Sequence, residues 1–265
     1  MGLVREIHEH RAVAGGLSMR WLEAGSGWPV VLLHAFPLSA DMWRPQLGAV
    51  PDEYRFVAPD LCAQPGGGID GYAANVAAVL DALSIETAAI GGLSMGGYVT
   101  FALNRLQPRR FSQMILADTR PQSDTPEGRA ARQAMRKLLA EAGPAAVADL
   151  MLPRLLSPRA REEQPELVAE VRSMIEAQPP PAVDAAIAAM MDRPDSTADL
   201  RSIGVPVLLV AGAEDELTPP EVTREMERRI PRARSVILPD AGHLSSLERP
   251  DAFSRVLHDF LLAGR

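Results

Sequence analysis

The pentapeptide Gly92-Leu93-Ser94-Met95-Gly96 sets a serine between two glycines, after an aliphatic run at 88–90 and before a helical stretch beginning near Gly97. A strand that turns straight into a helix through G-x-S-x-G strains the serine backbone and lifts its hydroxyl above the sheet end. Side chains at the flanking glycines would collide with strand or helix backbone. The helix start behind Ser94 offers unpaired N–H groups and the positive end of a dipole, a fit for negative charge developing beside the serine. The N–H of Met95 is the first such donor. A nucleotide-binding loop is the rival for a glycine-rich turn, but G-x-G-x-x-G is not matched and no Walker lysine follows.

A serine hydroxyl is a poor nucleophile near neutral pH and needs a base to take its proton. The chain has five histidines: His8, His10, His34, His243 and His258. In chains with this elbow an acid and then a histidine follow the serine, which leaves His243 and His258. His243 stands in a loop after the run 235–238 with Gly242 before it, whereas His258 lies inside an amphipathic terminal stretch. His243 is the candidate base. An acid to orient it should follow the run 205–210, where Glu214, Asp215 and Glu216 stand side by side. Asp118, after the run 114–117, is a rival, with a loop or helix-cap role as its alternative. His34-Ala35-Phe36-Pro37 follows the run 30–33, a place where a backbone N–H completes an oxyanion hole; Phe36 is the candidate donor. His34 is expected to support that loop by hydrogen bonding. Met42 and Trp43 either wall a pocket or belong to the core.

These residues need elements to hold them. Apolar runs at 30–33, 56–58, 88–90, 114–117, 205–210 and 235–238 read as buried strands. Helix-length amphipathic stretches at 72–83, 98–106, 220–230 and 251–262 alternate with several of them. Such alternation predicts an α/β protein with a mostly parallel sheet covered by helices. Residues 17–23 read as an antiparallel edge strand. Between 119 and 196 the alternation stops, and Gly143-Pro144, Ser157-Pro158 and Pro179-Pro180-Pro181 punctuate about four helices. The expected organisation is a core domain of residues 1–118 and 197–265, with residues 119–196 as a helical cap.

Composition removes other classes. The chain's 265 residues, 47% hydrophobic and 23% charged, suffice for a packed core without disulfides or structural metals. A net charge of −7 argues against nucleic acid and anionic membrane surfaces as partners. The lone cysteine, Cys62, permits no intrachain disulfide. The first ten residues carry charges where a secretion signal needs an apolar run, and no apolar stretch is long enough to cross a bilayer. A soluble cytoplasmic protein is the expectation. His8 and His10 flank Glu9 but lack further ligands at metal-site spacing, so no metal or other cofactor is expected.

Three patterns together resemble the α/β-hydrolase superfamily over essentially the whole chain: His34-Ala35-Phe36-Pro37, Gly92-Leu93-Ser94-Met95-Gly96-Gly97, and Gly212-Ala213-Glu214-Asp215 with Gly242-His243. Within it the chain looks like the small capped carboxylesterases and the 3-oxoadipate enol-lactonases. The resemblance implies an eight-stranded sheet, the acid on Asp215, the base on His243, and acyl transfer from a small ester or lactone through Ser94 to water. It implies hydrolysis of carboxylic esters with small or medium acyl chains, with a lactonase or a cofactor-free haloperoxidase or perhydrolase as alternatives. A ligand-binding receptor on the same fold is the non-enzymatic alternative. A dehalogenase is disfavoured, because that chemistry uses an aspartate where Ser94 stands. Leu150, Met151, Leu152, Leu155, Met174, Ile175, Met190 and Met191 are candidates either for an apolar acyl pocket, which would suit uncharged esters, or for helix packing. The sequence departs from the family pattern twice: Ala35 replaces a glycine, and Asp60-Leu61-Cys62-Ala63-Gln64-Pro65 replaces an Asp-x-Arg-Gly-x-Gly stretch.

Overall fold

A computed structural model describes residues 5–62 and 66–264. Met1–Val4 at the head of the charged N-terminus, and Ala63-Gln64-Pro65 of the departing stretch, lie outside the described residues. Eight strands form one sheet in the order β1-β2-β4-β3-β5-β6-β7-β8. They are β1 (His8–Ala14), β2 (Leu17–Gly25), β3 (Trp28–Leu33), β4 (Tyr54–Pro59), β5 (Ala88–Leu93), β6 (Phe111–Ala117), β7 (Val207–Gly212) and β8 (Ala233–Leu238). From β4 through β8 the neighbours run parallel, and β2 is antiparallel to both β1 and β4. Every residue of β5 and β7 is buried. A strand covered on both faces by helices has to be apolar throughout, which is why these runs were readable without alternation.

The predicted edge strand at 17–23 is instead the second strand, because β1 pairs outside it with His8 opposite Glu23 and Ala14 opposite Leu17. The residues of β1 from His8 to Val13 are exposed. With no face to bury, HEHRAVA carries no alternation of apolar and polar positions to betray a strand.

Among the described residues ten helices flank the sheet: α1 (Arg44–Gly48), α2 (Gly68–Ala82), α3 (Met95–Leu106), α4 (Pro126–Leu155), α5 (Pro158–Glu163), α6 (Pro165–Glu176), α7 (Pro180–Met191), α8 (Pro220–Arg229), α9 (Ser245–Glu248) and α10 (Pro250–Ala263). The side chains of Trp43 and Phe253 meet at 5.8 Å between ring centroids, and Met42 is fully buried, so both residues 42 and 43 belong to the core. Between β6 and β7 lie α4 to α7. α6 and α7 pack on α4, and α7 also reaches α2. The breaks expected at Ser157-Pro158 and at the proline run are present, each with a proline in the first turn of the next helix. A further break at Gln164-Pro165 separates α5 from α6, so the segment has more pieces than the punctuation suggested.

The break expected at Gly143-Pro144 is present as well, as a kink that divides α4 into two helical halves. Gly143 takes φ +75° and ψ −174°, a region only glycine enters without strain. A Cβ there would meet open space, so the backbone angle alone sets the cost of substitution. Gly143→Ala is expected to lower unfolding free energy by about 1–3 kcal/mol, read as a reduced urea midpoint. Gly204→Ala, also with open space and without a positive φ, should change it by less than about 0.5 kcal/mol.

Candidate active site

Ser94 occupies the turn between β5 and α3 with φ 55° and ψ −111°. Such a backbone costs about 1–3 kcal/mol and persists only where neighbours fix it. Here the Ser94 N–H donates to Ala117 O at 3.0 Å, and Thr119 Oγ1 donates to Ser94 O at 2.8 Å. A Cβ on Gly92 would stand 2.5 Å from the Gly96 carbonyl carbon, and one on Gly96 would run into the carbonyl of Leu33. The turn therefore has no room for a side chain at position 92 or 96.

His243 Nδ1 lies 2.9 Å from Asp215 Oδ2, with both side chains buried. Asp215 Oδ1 accepts from the N–H of Leu217 (2.8 Å) and of Thr218 (2.9 Å), and the Thr218 hydroxyl donates to Oδ2. An acceptor so placed fixes the ring proton on Nδ1 and leaves Nε2 unprotonated in the neutral imidazole. Burial opposes ionisation of Asp215, but the facing His243 and the Thr218 donors outweigh it and hold its pKa down to about 2. Glu214 and Glu216 are exposed on either side. His258 packs edge-on against Phe56 at 6.1 Å, away from this cluster.

Ser94 and His243 line one cavity of about 590 Å³, together with Phe36 and Thr218. The Phe36 N–H has no acceptor among the described residues, and Met95 begins α3, where an N–H has no partner within the helix. Behind them, His34 Nε2 accepts from the Leu61 N–H at 2.8 Å, so Nδ1 carries the proton and donates to Ala35 O at 2.9 Å. Burial pushes the His34 pKa down, in keeping with a neutral ring that braces the loop. Ala35 is not among the residues with positive φ, so the loop makes no demand for glycine at that position.

Asp118 is fully buried and makes no bond to His243. Its Oδ1 accepts from the Gly212 N–H at 2.8 Å, and its Oδ2 pairs with Ser245 Oγ. Glu248 accepts from the N–H of Gly242 and of Ser157, each at 3.0 Å. Neither role shows in the sequence, because each joins segments far apart in the chain. Of the apolar residues singled out between β6 and β7, Leu150, Met151, Leu155 and Met190 line the cavity. Leu152, Met174, Ile175 and Met191 do not, and serve packing. Charged side chains also line it: Arg120, Arg132 and Arg154 against the single carboxylate of Asp124, which pairs with Arg132 and, at 2.7 Å, with Arg193 outside the lining. Among the described residues, no group of three or more His, Cys, Asp and Glu is placed to hold a metal ion, and no helix is long and apolar enough to cross a membrane.

A model of the alpha/beta hydrolase family matches residues 30–256. The fold superposes on a thermophilic esterase from Thermogutta terrifontis, solved with malate bound, with a TM-score of 0.92 and 33% identity over 97% of this chain and 99% of the other. An enol-lactonase from Burkholderia xenovorans LB400 gives a TM-score of 0.88 with 27% identity, covering 96% and 100%. Among curated proteins, 3-oxoadipate enol-lactonase 2 of Acinetobacter baylyi is 28% identical over 235 residues, 86% of each chain.

A carboxyl group with a lower pKa folded than unfolded stabilises the fold above the unfolded value, and that contribution is lost as pH falls through the folded one. For Asp215 the window runs from about pH 4 to about pH 2. Wild-type urea midpoints should fall across it by an amount equivalent to about 2 kcal/mol. The Asp215→Asn protein should show a flatter profile over the same range.

Proposed function

Since this chain belongs to the alpha/beta hydrolase family, we propose that it hydrolyses carboxylic esters with small or medium acyl chains, using Ser94 as nucleophile, His243 as base and Asp215 as the group that orients the base. The observation that carries this reading is the buried 2.9 Å contact between His243 and Asp215 beside a cavity that Ser94 and Phe36 also line.

Ser94 Oγ attacks the ester carbonyl carbon while His243 Nε2 takes its proton, and the Asp215 carboxylate stabilises the imidazolium that results. The carbonyl oxygen becomes an oxyanion and accepts from the N–H groups of Phe36 and Met95, each donor contributing about 3 kcal/mol to the barrier reduction. The intermediate collapses, the bond to the alkoxide breaks, and His243 returns its proton to the leaving alcohol. A water activated by the same imidazole then attacks the acyl-enzyme and releases the acid, restoring the Ser94 hydroxyl. No step draws on a cofactor. In this reading residues 119–196 form the cap and residues 1–118 and 197–265 the core that bears the reacting groups.

A second reading concerns the substrate's charge. Three guanidiniums face one carboxylate around the cavity, in a chain whose net charge is −7. That wall favours an ester or lactone with a carboxylate remote from the scissile carbonyl over the uncharged ester that the methionines and leucines alone suggest. The similarity to enol-lactonases and to an esterase solved with malate bound agrees with it.

With p-nitrophenyl butyrate, Ser94→Ala should reduce kcat by about 10⁵-fold and Asp215→Asn by about 10⁴-fold. Normal turnover by the Ser94→Ala protein would remove the nucleophile assignment, and no turnover by the wild type on any ester or lactone would favour a binding protein. Arg154→Glu should lower kcat/KM for a dicarboxylic monomethyl ester about tenfold more than for the matching dimethyl ester. An equal effect on the two esters would exclude charge selection by this residue.

A further inference from the structure

The end of β6 touches each of the three turns that carry the proposed reacting groups. Ala117 and Thr119 hold the backbone of Ser94 from both sides, at 3.0 and 2.8 Å. Asp118, between them, has φ 44°, a left-handed angle that aspartate tolerates better than most side chains. Its backbone N–H donates to Val210 O at 2.9 Å, and its side chain spans the remaining two turns. One oxygen takes the N–H of Gly212, three residues before Asp215, and the other meets the hydroxyl of Ser245, two residues after His243.

The charge state follows from the surroundings. Burial pushes the Asp118 carboxyl well above the ordinary range, and the charges of Asp215 and then Glu248 push the same way against the bonds from Ser245 and Gly212. Two buried carboxyls this close do not both ionise readily. Asp215, with His243 opposite and the donors of Leu217 and Thr218, takes the negative charge.

We propose that Asp118 is a positioning residue: its carboxyl ties the Gly212 N–H to the Ser245 hydroxyl, setting the loop of Asp215 against the loop of His243. The inference rests on the triad reading. Bridging the two loops fixes the distance between base and orienting acid without adding a second negative charge beside the imidazole.

Steady-state kinetics with p-nitrophenyl butyrate across pH, on protein verified as folded by circular dichroism, test it. Asp118→Ala frees both loops and should lower kcat about 30-fold or more with KM within about twofold. Asp118→Asn rebuilds both bonds without charge and should restore kcat to within about threefold, with the acid limb of kcat/KM at the wild-type pH. Ser245→Ala removes one tie and should cost an intermediate factor, which decides the matter if Asp118→Ala does not fold. Wild-type kcat in folded Asp118→Ala or in Ser245→Ala overturns the proposal. So does an Asp118→Asn protein as impaired as Asp118→Ala with its acid limb moved to lower pH, since His243 would then depend on a charge at 118. Turnover by Ser94→Ala, in contrast, sinks the triad reading itself.

Discussion

The backbone of Ser94 sits where a side-chain-bearing residue is strained, and the rest of the site is arranged around holding it there. Neither a glycine nor a looser turn would do the same work: the first has no hydroxyl, and the second would drop the hydroxyl back toward the sheet. The restraint comes from the end of β6 and the residues just past it: Ala117 accepts from the Ser94 N–H, and the Thr119 hydroxyl donates to the Ser94 carbonyl. The close approach of Gly92 to Gly96, and of Gly96 to β3, is the geometric counterpart of that restraint. Strain at one residue is thus balanced by order in three neighbouring strands.

The buried strands were legible because parallel strands under helices must be apolar along their length, and β5 and β7 meet that demand at every position. The loops carrying Ser94, Asp215 and His243 were legible because each follows such a run. The exposed strand β1 was not, since a strand that buries nothing has no periodic signature. Helix starts were misjudged where glycine leads: α2 begins at Gly68, four residues before the amphipathic pattern becomes visible at Tyr72. The bonds of Asp118 and Glu248 were out of reach for a different reason. They link residues 94 and 91 positions apart, and a lone acid in a loop looks the same whether it caps a turn or joins two distant segments.

Electrostatics within the molecule are uneven. The chain is acidic as a whole, yet three arginines line the cavity wall against the one carboxylate of Asp124. Asp215 is ionised because donors and an imidazole face it, whereas Asp118, a short distance away in the same interior, is pushed toward the neutral form. Two residues of one type are driven apart by what surrounds them rather than by their own chemistry.

The two halves of α4 are tethered differently. Beyond Gly143, the second half ends at Leu155, whose carbonyl accepts from the Leu244 N–H at 3.1 Å, and Glu248 ties the next turn to Gly242. Those contacts clasp the far end of α4 to both neighbours of the imidazole. A swing of the whole helix would drag the His243 loop out of register. The stretch before the bend at Gly143 carries neither of these ties to the His243 loop, so the two halves of α4 are held to the site unequally.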